Sequence, residues 1–190
     1  MANLEPCPPP GNTSLCSRSY TNPILWEDLP DMEVIRVDNV YYMSASSFHF
    51  SPGAPILRSY NLVDWEYIGH SVPSLAAFGS QFSMDGGNTT GYVKGIWAST
   101  LKYRRSNRLF YWYGAIQGTD KTQIFTAKDP EGEWTGHPPI DNFYYDGGLL
   151  IDEDDTLYVA YGTKTIHVAQ LSDDGLRELT NRVSIELILP

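Results

Sequence analysis

Two aspartates stand at matching places in this sequence, each just ahead of an apolar stretch with the composition of a β-strand. Asp31 precedes the stretch 34–37, and Asp146 precedes the stretch 149–151. Carboxylates that meet in one site can support acid–base work, in which water is deprotonated while a poor leaving group is protonated. Hydrolysis of a glycosidic bond needs such an arrangement, so glycoside hydrolysis is the first hypothesis.

Both stretches belong to a repeated unit of β-strands. Three segments place a polar turn before an aromatic strand: 38–43, 106–112 and 154–159. Each is followed by a further apolar strand, and each is preceded by one: 34–37, 96–103 and 149–151. The first two units also end in matching tryptophans, Trp65 and Trp134.

Helical spacing is scarce along the chain, and the recurring units indicate an all-β fold. Three or four antiparallel strands per unit, repeated with variable loops, are typical of propeller blades rather than of a sandwich. The three apolar strands that open the units are therefore predicted to be equivalent inner strands. Asp31 and Asp146 should then emerge on the same face near the pseudo-axis.

Composition narrows the class of partner. The chain has 190 residues, a formal net charge of −10 and 13% aromatic residues, with a pI of about 4.7. This charge argues against nucleic acid and anionic membranes as partners, and no run approaches the length of a membrane span. A neutral oligosaccharide or polysaccharide is compatible with the charge, and aromatic rings can serve as platforms for sugars.

The first 19 residues are Pro-rich and are predicted to be a flexible leader. They contain Cys7 and Cys16, which either close a small disulfide loop or remain two thiols. The segment lacks the basic start and apolar core of a secretory signal. The protein is therefore either intracellular or begins upstream of Met1, and its location stays unassigned.

Several motifs, taken together and in order, resemble glycoside hydrolase family 43, the five-bladed propeller enzymes that include β-xylosidases and α-L-arabinofuranosidases. The matching segments lie within residues 20 to 175: 22–25, 30–31, 35–37, 41–42, 51–56, 59–70, 94–98 and 145–146. The set is most similar to a fungal branch acting on xylan side chains. The resemblance implies that 20–190 is a partial catalytic propeller of about three blades, without a cofactor.

Carried over to this sequence, the resemblance implies a role for each aspartate. Asp31 would be the general base that activates water. Asp146 would raise the pKa of the general acid and orient it, because a nearby negative charge disfavours ionisation of an acid. The family inverts configuration, so base and acid should lie roughly 6.5–9.5 Å apart to admit a water.

The general acid of the family, a glutamate in a Glu-Gly context, has no match after Asp146. The step Glu131-Gly132 comes too early, and the glutamates Glu178 and Glu186 are not followed by glycine. The tail from Asn181 to Pro190 also loses the propeller rhythm. The sequence therefore predicts a chain truncated before its acid, with a non-catalytic fragment or sugar-binding remnant as the alternative.

Four further residues are predicted to bind substrate, and none to bind metal. Phe48 and His49 lie in a loop where the family gathers pocket residues, and His49 either bonds a sugar hydroxyl or is a surface loop histidine. Trp97 is either a core residue or a sugar platform, and Trp26 is a rim candidate for stacking. The cysteines and histidines lack zinc-ligand spacing. The acidic run 152–155 is expected to form a solvated turn between two strands rather than a calcium site.

Overall fold

A computed structural model of the chain describes residues 20–83 and 93–186, in which β-strands dominate. The strands are β1 (Glu33–Val37), β2 (Val40–Ser44), β3 (Gly53–Ser59), β4 (Trp65–Val72), β5 (Ile96–Arg104), β6 (Leu109–Ile116), β7 (Thr122–Ala127), β8 (Thr135–Ile140), β9 (Gly148–Ile151), β10 (Leu157–Gly162), β11 (Thr165–Leu171) and β12 (Glu178–Glu186). Two short 3-10 turns lie at Leu75–Phe78 and Ser80–Phe82. No helix in these two ranges is long and apolar enough to cross a membrane.

The strands form three antiparallel sheets, each made of four consecutive strands. Sheet one is β1–β4, sheet two is β5–β8 and sheet three is β9–β12, and in each sheet neighbouring strands are consecutive in the chain. The first strands lie in sequence, with β1 against β5 and β5 against β9. The prediction of equivalent opening strands in an all-β, propeller-type architecture is thus confirmed. The leader with Cys7 and Cys16 falls outside the described residues.

One expectation about the tail is wrong. The tail from Asn181 is predicted to leave the propeller rhythm, but β12 runs to Glu186 as the fourth strand of sheet three. The rest of the tail, 187–190, lies outside the described residues. Val183 pairs with Val168 and Ile185 pairs with Ile166. The physical reason is the alternation of apolar and polar residues along 182–186, which is the period of a strand.

Strand β6 contributes side chains to both clusters of the hydrophobic core, because its side chains alternate between two faces. Phe110 and Trp112 belong to the cluster between sheets one and two. Tyr111 and Tyr113 belong to the cluster between sheets two and three. All four side chains are buried, so sheet two is covered on both faces and ties its neighbours into one core.

The edges of the inner strands are linked by side chains from the preceding sheet. The backbone N–H of Leu101 on β5 donates to Glu33 Oε2 at 2.6 Å, and Glu33 also pairs with Lys102. The backbone N–H of Leu149 on β9 donates to Thr100 Oγ1 at 3.1 Å. A first strand has a free edge, so these bonds satisfy backbone groups that the sheets leave unpaired.

The opposite end of sheets two and three is joined by a buried arginine. Arg104 donates to both carboxylate oxygens of Asp155 and to the main-chain carbonyls of Asp155 and Asp173. The neighbouring Arg105 pairs with Asp38 in the β1–β2 turn, but both side chains are exposed. Exposed pairs contribute little, whereas a buried guanidinium with several partners holds elements together.

We expect Arg104→Met to lower the Tm by roughly 4–8 °C, because it strips hydrogen bonds from two turns at once. Arg105→Met is the matched control and should change the Tm by at most about 1 °C, since its ion pair is solvent-exposed. Thermal unfolding followed by circular dichroism measures both variants. Equal shifts for the two variants would show that Arg104 is not the link between the sheets.

Candidate active site

Asp31 and Asp146 hold the same place in sheets one and three. Each lies two residues before its inner strand, since β1 begins at Glu33 and β9 at Gly148. Each also adopts a left-handed backbone conformation, with φ of 52° for Asp31 and 48° for Asp146. Aspartate tolerates this region better than most residues because its short polar side chain bonds locally. The two carboxylates therefore leave the inner strands at the same end.

The carboxyl of Asp146 is affected by burial and by the charge of Asp31. Partial burial raises the pKa of Asp146, and the negative charge of Asp31 raises it further. Both residues remain solvent-accessible. The structure thus brings together the two carboxyls that the sequence singled out, while their catalytic roles remain predictions.

A serine that sequence reasoning missed holds Asp31. Ser46 Oγ donates to Asp31 Oδ2 at 2.8 Å, and the Ser46 backbone N–H donates to the Pro30 carbonyl at 2.9 Å. Ser46 lies in the run 44–47, where three serines are spaced without any distinguishing pattern. Only the antiparallel pairing of β1 with β2 brings this residue back to Asp31, so no local signal could have identified it.

Backbone hydrogen bonds attach the loop after β2 to the start of β5. Ser47 and Ile96 exchange two backbone hydrogen bonds of 3.0 and 3.3 Å, and the Gly95 N–H donates to the Phe48 carbonyl at 3.1 Å. A Cβ at Gly95 would lie 2.5 Å from the Ser47 carbonyl oxygen, so only glycine permits this approach. The loop that begins beside Asp31 is therefore carried across to sheet two.

These backbone hydrogen bonds bring together three of the four predicted substrate-binding residues. The rings of Phe48 and Trp97 meet edge to face at 5.8 Å, and those of Phe48 and His49 at 6.1 Å. Val93 joins the group through its backbone: its N–H donates to His49 Nδ1 and its carbonyl accepts from Trp97 Nε1, both at 3.3 Å. We call Phe48, His49 and Trp97 the aromatic cluster.

The fourth predicted residue, Trp26, stands apart. Its side chain is 88% exposed, and no ring contact joins it to the aromatic cluster among the described residues. An exposed indole is free to stack against a ligand, so its assignment to the rim stays a prediction.

Glu178 does not have the surroundings of a general acid. Burial favours its protonated form, but hydrogen bonds from Asn142, Arg182 and Tyr144 outweigh burial, and the pKa of Glu178 is lowered. A general acid must be protonated near neutral pH. The contacts therefore indicate an ionised structural anchor that links β12 to the segment before β9.

The other candidate polar sites lie away from Asp31 and Asp146, or consist of charged groups that already form ion pairs. A polar cavity of about 270 Å³ lies at the opposite end of sheets two and three, but its Arg104 and Asp155 neutralise each other. Residues 152–155 form the β9–β10 turn, as expected, and the Asp152 N–H donates to the Thr156 carbonyl. Within residues 20–83 and 93–186, no group of three or more His, Cys, Asp or Glu side chains is arranged to hold a metal.

Comparisons with known proteins agree with this geometry. The sequence profile of the family described as Glycosyl hydrolases family 43 matches residues 20–186. A beta-xylosidase of Formosa agariphila is 37% identical over 117 residues, which cover 62% of this chain and 19% of that enzyme.

Solved structures show the same fold. A GH43 glycoside hydrolase engineered to display both endo-xylanase and exo-arabinofuranosidase activity superposes with a TM-score of 0.79 at 50% identity, covering 86% of this chain and 32% of that one. A GH43 beta-1,3-galactosidase, at 14% identity, shares the fold with a TM-score of 0.64, and the match covers 84% of this chain and 62% of the galactosidase chain. The chain thus spans about a fifth to a third of its more similar relatives.

We expect Asp31→Asn to lower the pKa of Asp146, because the substitution removes the negative charge that disfavours ionisation of that carboxyl. Carbon-13 NMR of the aspartate carboxyls during a pH titration measures the change. Asp38→Asn, at the far end of β1, is the matched control and should leave Asp146 unaffected. An Asp146 titration that is the same in Asp31→Asn and the wild type would show that the two carboxyls do not converge.

Proposed function

This chain belongs to glycosyl hydrolases family 43, and from that premise we propose that it forms part of an inverting glycoside hydrolase. Its substrates are saccharides derived from xylan or arabinoxylan. The observation that carries the proposal is the pairing of Asp31 with Asp146 at one end of the inner strands, where one carboxylate raises the pKa of the other. The names of the relatives, a beta-xylosidase and a GH43 enzyme with arabinofuranosidase activity, support the substrate class.

In this mechanism Asp31 is the general base. Its carboxylate takes a proton from a water molecule as the water oxygen attacks the anomeric carbon from the face opposite the leaving group. The bond to the leaving oxygen breaks, and that oxygen takes a proton from a general acid. Asp146 acts on this acid: its charge disfavours ionisation of a neighbouring carboxyl and keeps that carboxyl protonated near neutral pH.

The aromatic cluster forms one wall of the sugar site in this proposal. Phe48 and Trp97 present ring surface beside the loop that Ser46 ties to Asp31, and sugar rings pack their C–H faces on such surfaces. His49 adds a polar edge for a sugar hydroxyl, and exposed Trp26 supplies a stacking surface at the rim. The net charge of −10 argues against nucleic acid and anionic membranes as partners.

We assign the three sheets to three blades of a five-bladed propeller, with residues 20–190 as a partial catalytic domain and 1–19 as a leader. The match to the galactosidase chain supports this count, because 62% coverage is close to three fifths of a five-bladed domain. The general acid then comes from a part of the propeller that has no counterpart in residues 1–190.

The outer face of sheet three supports an incomplete propeller. In sheet two, the face that carries Tyr111, Tyr113 and Ile124 is buried by sheet three. The corresponding face of sheet three contains apolar residues that remain exposed: Leu150 at 56%, Val183 at 63% and Ile185 at 53%. Large exposed apolar patches mark surfaces that another element covers, and here the fitting element is a fourth sheet.

We expect the 190-residue chain to hydrolyse activated aryl glycosides and to turn over arabinoxylan oligosaccharides very slowly. A dinitrophenolate leaves without a proton, whereas general acid catalysis of a sugar leaving group contributes about 10²–10⁴-fold. Release of dinitrophenol from the β-D-xyloside and the α-L-arabinofuranoside measures the first rate, and sugar analysis measures the second. Robust hydrolysis of the oligosaccharides would mean that an acid within these residues has been overlooked.

Asp31→Asn should reduce turnover of the activated substrate by roughly 10²-fold or more, because the amide keeps the shape but cannot accept the proton of water. Asp38→Asn again serves as the control and should retain full activity. Near-normal turnover by Asp31→Asn would show that the base has been assigned to the wrong residue.

The exposed face can be tested without any substrate. The double variant Val183→Thr, Ile185→Thr keeps β-branched side chains but removes apolar surface, so binding of a hydrophobic dye and self-association should both decrease. The free energy of unfolding should change by less than about 1 kcal/mol, because the side chains are exposed. Ser184→Thr, on the other face of β12, is the control, and equal dye binding by all three proteins would contradict an open face.

A further inference from the structure

We propose that Ser46 is a positioning residue for Asp31: it holds one carboxylate oxygen in place and thereby directs the other toward the attacking water. The catalytic meaning of this inference rests on the proposed function, but the contact itself does not. Ser46 touches no substrate in this account, so it acts only through Asp31.

Ser46 makes two hydrogen bonds to the segment that contains Asp31. Its hydroxyl donates to Asp31 Oδ2 at 2.8 Å, and its backbone N–H donates to the carbonyl of Pro30, the preceding residue, at 2.9 Å. Ser46 is 1% exposed, so it is enclosed by protein atoms on almost every side. Asp31, in contrast, is exposed and has a φ of 52°. A buried donor therefore restrains a carboxylate that its own backbone and solvent contacts would leave free to rotate.

The chemistry of a general base requires this restraint. With Oδ2 occupied by the serine proton, Oδ1 is the oxygen left to accept a proton from water. When water attacks, its oxygen bonds to the anomeric carbon, its proton moves to Oδ1, and the bonding electrons of the glycosidic bond leave with the departing oxygen. A fixed Oδ1 keeps this transfer aligned.

The charges near Asp31 make a neutral donor the fitting choice. Asp146 faces it with a negative charge from the segment before β9, and His49 lies on the same loop as Ser46. Glu33, two residues along β1, is already paired with Lys102 of β5. A hydroxyl orients the base without the strong attraction of a cation, which would make the carboxylate a poorer proton acceptor.

The chain offers an internal control for a purely structural role. Ser44 is also 1% exposed and lies two residues earlier at the end of β2, but its Oγ has no hydrogen-bond partner. Ser44→Ala therefore removes a buried hydroxyl without touching Asp31. Ser46→Thr keeps the hydroxyl, and Ser46→Cys nearly keeps the volume but donates only weakly.

The first readout is the side-chain conformation of Asp31, measured by NMR in the 190-residue chain from the three-bond couplings that define χ1. In Ser46→Ala the couplings should take the averaged values of a side chain that changes rotamer, because the carboxylate has lost the donor that holds it. Ser46→Thr should restore the wild-type couplings, and Ser44→Ala should not change them. If Ser46→Ala does not fold, Ser46→Cys supplies the same comparison. Unchanged couplings in a folded variant overturn the proposal, whether or not the chain is active.

The second readout is the kinetics of hydrolysis of the activated aryl glycoside. Ser46→Ala should lower kcat by about tenfold with little change in KM, because a misdirected base impairs proton transfer and not binding of the sugar. A rise in KM at unchanged kcat would contradict an effect on Asp31. If the wild type hydrolyses no aryl glycoside, the proposed function fails, and the NMR couplings still decide the contact between Ser46 and Asp31.

Discussion

The positions of Asp31 and Asp146 depend on how the inner strands β1, β5 and β9 are joined edge to edge. Glu33 accepts the N–H of Leu101, and Thr100 accepts the N–H of Leu149, so each inner strand is tied to the next through a side chain rather than a ladder. These bonds satisfy backbone groups that a free sheet edge would leave without a partner. They also fix the offset between the strands, which determines the residues that appear together at the strand ends. Without this offset, two aspartates separated by more than a hundred residues would have no reason to meet.

The site follows from that offset. Asp31 and Asp146 both precede an inner strand by two residues and both turn through a left-handed conformation. The loop after β2 then crosses to β5 through the pairing of Ser47 with Ile96, which sets the aromatic cluster beside the first aspartate. The carboxyls are close enough for one charge to raise the pKa of the other. A general base must be ionised, and a second charge must keep the general acid protonated. Two carboxyls in different surroundings can each perform one of these two tasks.

Strand patterns made much of this fold predictable from sequence. Alternation and turn residues identified the inner strands and the 152–155 turn, because such signals are local. The strand β12 could not be predicted in the same way, because apolar and polar residues alternate only over 182–186 and β12 lacks the aromatic residues of the earlier strands. Ser46 could not be found in this way: a buried serine becomes informative only when strand pairing brings it to Asp31. The lowered pKa of Glu178 likewise arises from partners on other elements, which no spacing in the sequence reveals.

Asp31 is proposed to activate water rather than to attack the sugar itself, and the anomeric configuration of the first product distinguishes these two roles. Proton NMR during hydrolysis of an activated aryl β-D-xyloside would record the anomer before mutarotation. If Asp31 is the general base, α-xylose forms first, since water attacks from the face opposite the leaving group. β-Xylose as the first product would indicate a covalent intermediate and would rule out Asp31 as a general base.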